Sequence, residues 1–159
     1  QASREQVKRF HAPFRGRRAK PSDAKAVLKL FEDGLATRTG AMERWGDVWL
    51  KRALREKWCR LIEDARGRAV AYYRADPRDD DSFCVSEASL GRAPSEGLVR
   101  SVVVDAAKAA KACEKGKLRF ELPLDHPLCE FCFADGCETH PTGGHRGGGS
   151  KILARLEHW

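Results

Sequence analysis

Apolar positions change their spacing several times along the chain, and each change marks a new element. In "KPSDAKAVLKLFEDGLATRTG", residues 20–40, Val27, Leu28, Phe31 and Leu35 recur at helical spacing. Ser22 is placed to cap that helix, and Asp23 suits its positive N-terminus. The preceding "FRGRRA" is short and reads as a strand at a sheet edge. "RWGDVWLKRALRE" predicts a second helix, with Trp45, Val48, Trp49 and Ala53 on one face.

The period then shortens. "KWCRLIEDA" alternates, with Trp58, Arg60 and Ile62 on one side and Cys59 and Leu61 on the other. "DARG" makes a turn, Gly67 supplying the permissive backbone, and "RAVAYYRA" returns as the second strand of an antiparallel hairpin. After the polar loop "PRDDD", "SFCVSEASL" is a further strand with Phe83, Val85 and Glu87 on one face. A long helix follows, Ser95 to Glu114, stopped by Gly116. Its buried face is Leu98, Val99, Val102, Val103, Ala106, Ala109, Ala110 and Cys113. "KLRFELPL" is a strand with Leu118, Phe120 and Leu122 on one side. Pro127 opens a short helix carrying Leu128, Phe131 and Cys132, and Gly136 is placed to end it. The Gly-rich loop "HPTGGHRGGGS" leads to a last strand, "KILARLEHW".

This order of strands and helices predicts an α+β (mixed α/β) domain: a central, mostly antiparallel sheet flanked by about four helices. Composition fits a globular domain, 42% apolar and 33% charged over 159 residues. No window approaches the roughly 18 consecutive apolar residues of a membrane span, and "QASREQVKRF" has no secretory character. A cytoplasmic location is expected, with no membrane partner. The chain begins at Gln1, which leaves room for an upstream segment.

The net charge of +7 comes largely from the first twenty residues, where Arg4, Lys8, Arg9, Arg15, Arg17, Arg18 and Lys20 face Glu5 alone. Residues 1–13 read as a basic arm or the remnant of an upstream domain, and 14–159 as the folded domain. The rest of the chain mixes both signs, so nucleic acid is not expected as a partner. Cys59, Cys84 and Cys113 sit in apolar patterns and read as small buried hydrophobes.

Over Phe14 to Trp159 the chain resembles the GNAT superfamily of N-acetyltransferases. The likeness rests on the helix of residues 20–40, "GRAVAYYRA", "VSEASL", "LRFELPLDHPLCEFCFADGCE" and the tail "GGGSKILARL". "LPLDHPL…GC" is similar to the end of tandem GNAT proteins, which carry two such domains with one often degenerate. The resemblance implies acetyl-CoA as cofactor, with pantetheine along the strand holding Val85 to Ser89 and the diphosphate at the start of the long helix, where amides bind anions. It implies a small-molecule or peptide amine as acceptor, and a second GNAT-like domain or a homodimer as partner.

The family's diphosphate loop has Arg or Gln, two residues, a glycine, one residue, then glycine or alanine. Here Arg92 and Gly97 match, Ser95 stands for the middle glycine, Pro94 removes an amide donor and Glu96 adds a negative charge. Val85, Arg92, Ser95, Glu96 and Gly97 are the cofactor-binding candidates, with Ser95 equally suited to capping the helix. A tyrosine on the fourth helix commonly acts as general acid in the family; Phe131 and Phe133 occupy that neighbourhood and cannot donate a proton. Glu87 is the candidate general base, and its structural alternative is an ion pair with Arg60 or Arg74. Two readings follow: acetyl transfer to an amine, or a non-catalytic copy of the fold that serves as a scaffold or dimerisation domain.

"CEFCFADGCETH" carries the spacing of a zinc-stabilised nucleic-acid-binding module, with Cys129, Cys132, Cys137 and His140 as a Cys₃His set and His145 in reserve. The same residues read as an apolar helix face, and the GNAT pattern accounts for the segment without a metal; no metal is expected. His126, just before Pro127, reads as a turn residue.

Overall fold

The computed structural model describes residues 14–35, 54–55, 59–123, 125–134, 138–141 and 150–155. In chain order the elements are β1 (Arg15–Arg18), α1 (Ala24–Leu35), β2 (Cys59–Glu63), β3 (Ala69–Pro77), β4 (Ser82–Ser89), α2 (Glu96–Ala112), β5 (Lys117–Leu122), α3 (Pro127–Ala134), β6 (Glu138–Pro141) and β7 (Ser150–Arg155). The seven strands form one sheet in the order β1-β2-β3-β4-β5-β7-β6. β4 and β5 run parallel, joined by the α2 crossover, and the other neighbours are antiparallel. The mixed α/β class and mostly antiparallel sheet agree with the pattern. The expected helix over residues 44–56 and the basic arm lie outside the described residues, apart from a helical Leu54–Arg55.

Each face of the sheet buries its own core. Ile62, Tyr73, Phe83, Val85, Phe120 and Leu122 pack against the apolar stripe of α2 and against Leu128, Cys129 and Cys132 of α3. Cys59, Leu61 and Tyr72 pack against Val27 and Leu30 of α1 on the other face. The alternation in β2 therefore feeds two cores, as its pattern predicts. Gly16 lets α2 approach β1: a Cβ there would lie 2.0 Å from Asp105 Oδ1.

Several element ends differ from the pattern. Asp23, not Ser22, secures the start of α1: its carboxylate accepts the Lys20 N–H at 2.7 Å within a 3₁₀ turn, Pro21–Asp23. It also takes a two-pronged contact from Arg17, which lowers its pKa. The long helix turns off through Glu114, at φ 56°, rather than Gly116. Gly116 instead donates its N–H to Asp81 Oδ1. β6 forms where the residues after Cys137 carry no strand pattern, pairing with β7 instead of opening a loop.

Candidate active site

The ladder between β4 and β5 covers Ser82 to Val85 against Lys117 to Phe120 and then stops, although both strands continue. The break coincides with a bulge at Ser86: Arg74 pairs with Glu87 but Ala75 with Val85, so Ser86 has no opposite number on β3. Beyond Val85 and Phe120 the strands part around a cleft of about 380 Å³. Ser86 to Leu90 form one wall, Glu121 to Pro123 the other, and Phe31 and Gly34 close it from α1. Gly34 meets β4 closely: a Cβ would stand 2.6 Å from Ser89 Oγ.

The bulge corrects the expected placement of Glu87. Simple alternation puts it with Phe83 and Val85, in the core beneath α2. The extra residue at Ser86 flips the phase, so Glu87 shares the opposite face with Tyr72 and Arg74. There it lines the cleft. The Tyr72 hydroxyl donates to Glu87 Oε1 at 2.8 Å, and Arg74 Nη1 reaches Oε2 at 3.4 Å. Of the two arginines considered for Glu87, Arg74 is the partner. Arg60 is held by Asp105 on the other face.

The remaining candidates divide. Val85 is fully buried in the core, and its backbone completes the ladder with Phe120. Arg92 lines the cleft and pairs with Asp33 at the end of α1, 3.1 Å apart. Ser95 caps α2: its Oγ accepts the Leu98 N–H at 3.2 Å. Glu96 is exposed and pairs with Arg100 one turn on, at 3.6 Å. Gly97 is exposed at the same helix start. A second groove, about 550 Å³, runs from this end of α2 to α3 past Glu96, Arg100, Glu130 and Phe131. It shares Pro94 and Pro127 with the cleft. Arg100 lies over the Phe131 ring, 5.7 Å from its centre.

His126 lies in a turn, as expected, its N–H donating to the Pro123 carbonyl oxygen at 2.9 Å, but it is 2% exposed and its ring has partners that sequence reasoning did not assign. Its carbonyl accepts the Cys129 and Glu130 N–H groups, and its Nδ1 accepts the Leu128 N–H at 3.1 Å, so it caps α3. Nδ1 therefore carries no proton, and Nε2–H donates to the Ala88 carbonyl oxygen at 3.2 Å. The available signal was positional: a proline that opens a helix makes the residue before it the cap.

Cys129 and Cys132 are buried in the α2–α3 core, Cys129 Sγ 4.0 Å from the Leu122 carbonyl oxygen. The Cys137 and His140 side chains lie outside the described residues. Among the described residues no group of three His, Cys, Asp or Glu is placed to hold a metal. Nor is any described helix long and apolar enough to cross a membrane. Cys59 and Cys84 are buried as expected, while Cys113 is half-buried. Burial, with the Glu121 charge, pushes the Cys84 thiol up to about 11.

A parallel pair opened by a bulge, backed by a crossover helix, invites comparison with solved structures. No protein-family model matches the chain, and no curated protein matches it in sequence. Solved structures do match. A GNAT-family acetyltransferase from Listeria monocytogenes has a TM-score of 0.64 at 16% identity, over 89% of this chain and 94% of that one. The chain has the GNAT fold. An N-acetyltransferase from Thermoplasma acidophilum in complex with coenzyme A has a TM-score of 0.65 at 9% identity, over 89% and 98%. N-acetylglutamate synthase from Neisseria gonorrhoeae, complexed with coenzyme A and N-acetyl-glutamate, has a TM-score of 0.69 at 13% identity. That match covers 91% of this chain and 35% of the synthase.

Proposed function

We propose that this domain transfers an acetyl group from acetyl-CoA to an amine, on a small molecule or a peptide. One observation carries the reading: the strands part after Val85 and Phe120, and the bulge that helps part them turns Glu87 into the opening. Acetyl-CoA, when bound, supplies an acetyl thioester whose carbonyl carbon the acceptor nitrogen attacks, releasing the thiol.

The residues present fit such a group. Beyond Val85 the β5 side of β4 has no strand partner, which leaves an edge for an amide-bearing chain. The start of α2 offers N–H groups for a diphosphate, and a Cβ at Gly97 would meet nothing closer than 3.9 Å, so close approach there is open. Arg92 supplies a cation on the cleft wall between the two. The Glu96 charge is partly balanced by Arg100.

Glu87 takes the proton of the acceptor ammonium, and Tyr72 and Arg74 hold its carboxylate toward the cleft. The family's tyrosine position has no phenol here: Phe131 is half-buried and Phe133 is 38% exposed. Protonation of the leaving thiol then falls to solvent. The buried cysteines weigh against a zinc module, since Cys129 and Cys132 serve the core.

Calorimetric titration with acetyl-CoA tests the reading. The expected result is micromolar affinity, about −8 kcal/mol. No heat at millimolar ligand would overturn acetyl transfer and leave the fold as a scaffold, alone or beside a second domain of its kind.

A further inference from the structure

His126 sits just past the end of β5, against β4. The β4–β5 ladder ends at Val85 and Phe120, and Ala88 lies beyond the Ser86 bulge. After β5 the chain turns: the His126 N–H donates to the Pro123 carbonyl oxygen at 2.9 Å. The turn carries the imidazole back toward β4, and its Nε2–H donates to the Ala88 carbonyl oxygen at 3.2 Å. The same ring caps α3 through Nδ1. One side chain thus spans the cleft and secures the helix behind it.

We propose that His126 is a removable bar across the cleft: an extended, amide-bearing chain of the pantetheine type, laid along β4, takes over the Ala88 carbonyl and releases the imidazole. The proposal rests on the acetyl-CoA reading and adds to it a competition within the protein. The imidazole reaches Ala88 from the β5 side, the side from which a chain lying along β4 must also come. His126, Ala88 and Glu87 line the same opening, so binding and the bar meet in one space. Part of the binding free energy then goes into breaking the contact, and wild-type affinity is lower than the cleft allows.

Two substitutions separate the two jobs of the ring. His126→Ser keeps a side chain that caps helices well but cannot reach Ala88. His126→Ala removes both the cap and the bar. The expected result is acetyl-CoA binding about three- to tenfold tighter in His126→Ser than in wild type, the worth of one neutral hydrogen bond. Adenosine 3′,5′-bisphosphate has no amide chain, and its affinity is expected to stay unchanged. His126→Ala is expected to melt lower than His126→Ser without ligand. In wild type, acetyl-CoA should shift the ¹⁵N resonances of the His126 ring, and adenosine 3′,5′-bisphosphate should not.

Equal or weaker acetyl-CoA binding by a folded His126→Ser, with the wild-type ring resonances unmoved, overturns the bar and leaves the acetyl-CoA reading standing. Binding by His126→Ser but not by wild type supports both. Binding by none of the proteins overturns both.

Discussion

Two clusters of the same chemistry stand back to back across β3. On the α2 face, Asp105 receives Arg60 through Nε at 2.6 Å and Nη2 at 2.8 Å, and the Tyr73 hydroxyl at 2.7 Å. On the α1 face, Glu87 receives the Tyr72 hydroxyl at 2.8 Å and Arg74 at 3.4 Å. Each has one carboxylate, one tyrosine and one arginine, and the two tyrosines are neighbours in sequence. The first is closed: both carboxylate oxygens hold a fork-shaped guanidinium, and the cluster pins α2 to β1, β2 and β3. The second opens on the cleft, and in it Arg74 Nη1 stands 3.4 Å from Glu87 Oε2. The same three residue types thus serve a fork-bonded cluster in the core beneath α2 and a cluster that lines the cleft.

The largest expected effect comes from breaking the closed cluster. Asp105→Ala strands the Arg60 charge at a site where that side chain is only 22% exposed. It is expected to cost about 3–5 kcal/mol of stability, read from denaturant unfolding. A loss no greater than that of Glu87→Gln would erase the distinction.

Glu87→Gln should show the opposite profile. Stability is expected to fall by about 1 kcal/mol or less, while single-turnover acetyl transfer to amines falls about a hundredfold or more. Undiminished transfer would remove Glu87 from the chemistry and make both clusters structural.

A subtler contrast lies in alkali. Burial, and then the Asp105 charge, hold the Tyr73 pKa well above the ordinary value of 10.0. The unfolded chain gives up that proton first, so this contribution to stability is whole below about pH 10 and is lost as pH rises beyond it. Thermal melts from pH 8 to 11 are expected to show a steep alkaline decline that flattens in Tyr73→Phe, after allowing for its lower starting point.

Smallest is Tyr72→Phe, which removes one hydrogen bond to Glu87. It is expected to cost about 1 kcal/mol or less in stability and to lower turnover several-fold with little change in acetyl-CoA affinity. An equal drop in affinity would assign Tyr72 to binding rather than to holding the carboxylate.

Much of the fold was legible. The helical stripe of residues 98–110 and the alternation of 59–62 and 118–122 depend on periods of 3.6 and 2, which survive without neighbours. Glu87 and Arg92 were picked out as a candidate base and a candidate cofactor contact through the likeness of their segments to GNAT sequences; that both line a cleft was not legible. The face of Glu87 was not, because a one-residue bulge inverts every position after it and leaves no mark in the alternation. The role of the His126 ring stayed hidden for a related reason. Its contact with Leu128 is two residues away and that with Ala88 thirty-eight, and only the nearer could be inferred from Pro127.

By itself the sequence determined the order of the elements, which of their faces are apolar, and the residue types available for chemistry, because these are local periodicities and compositions. Tertiary structure alone decided that Tyr72 and Tyr73 serve different clusters, that Glu87 lines a cleft, and that the His126 imidazole meets the Ala88 carbonyl. Those outcomes depend on pairings between residues far apart in the chain. A bulge at one position changes what a distant residue can reach.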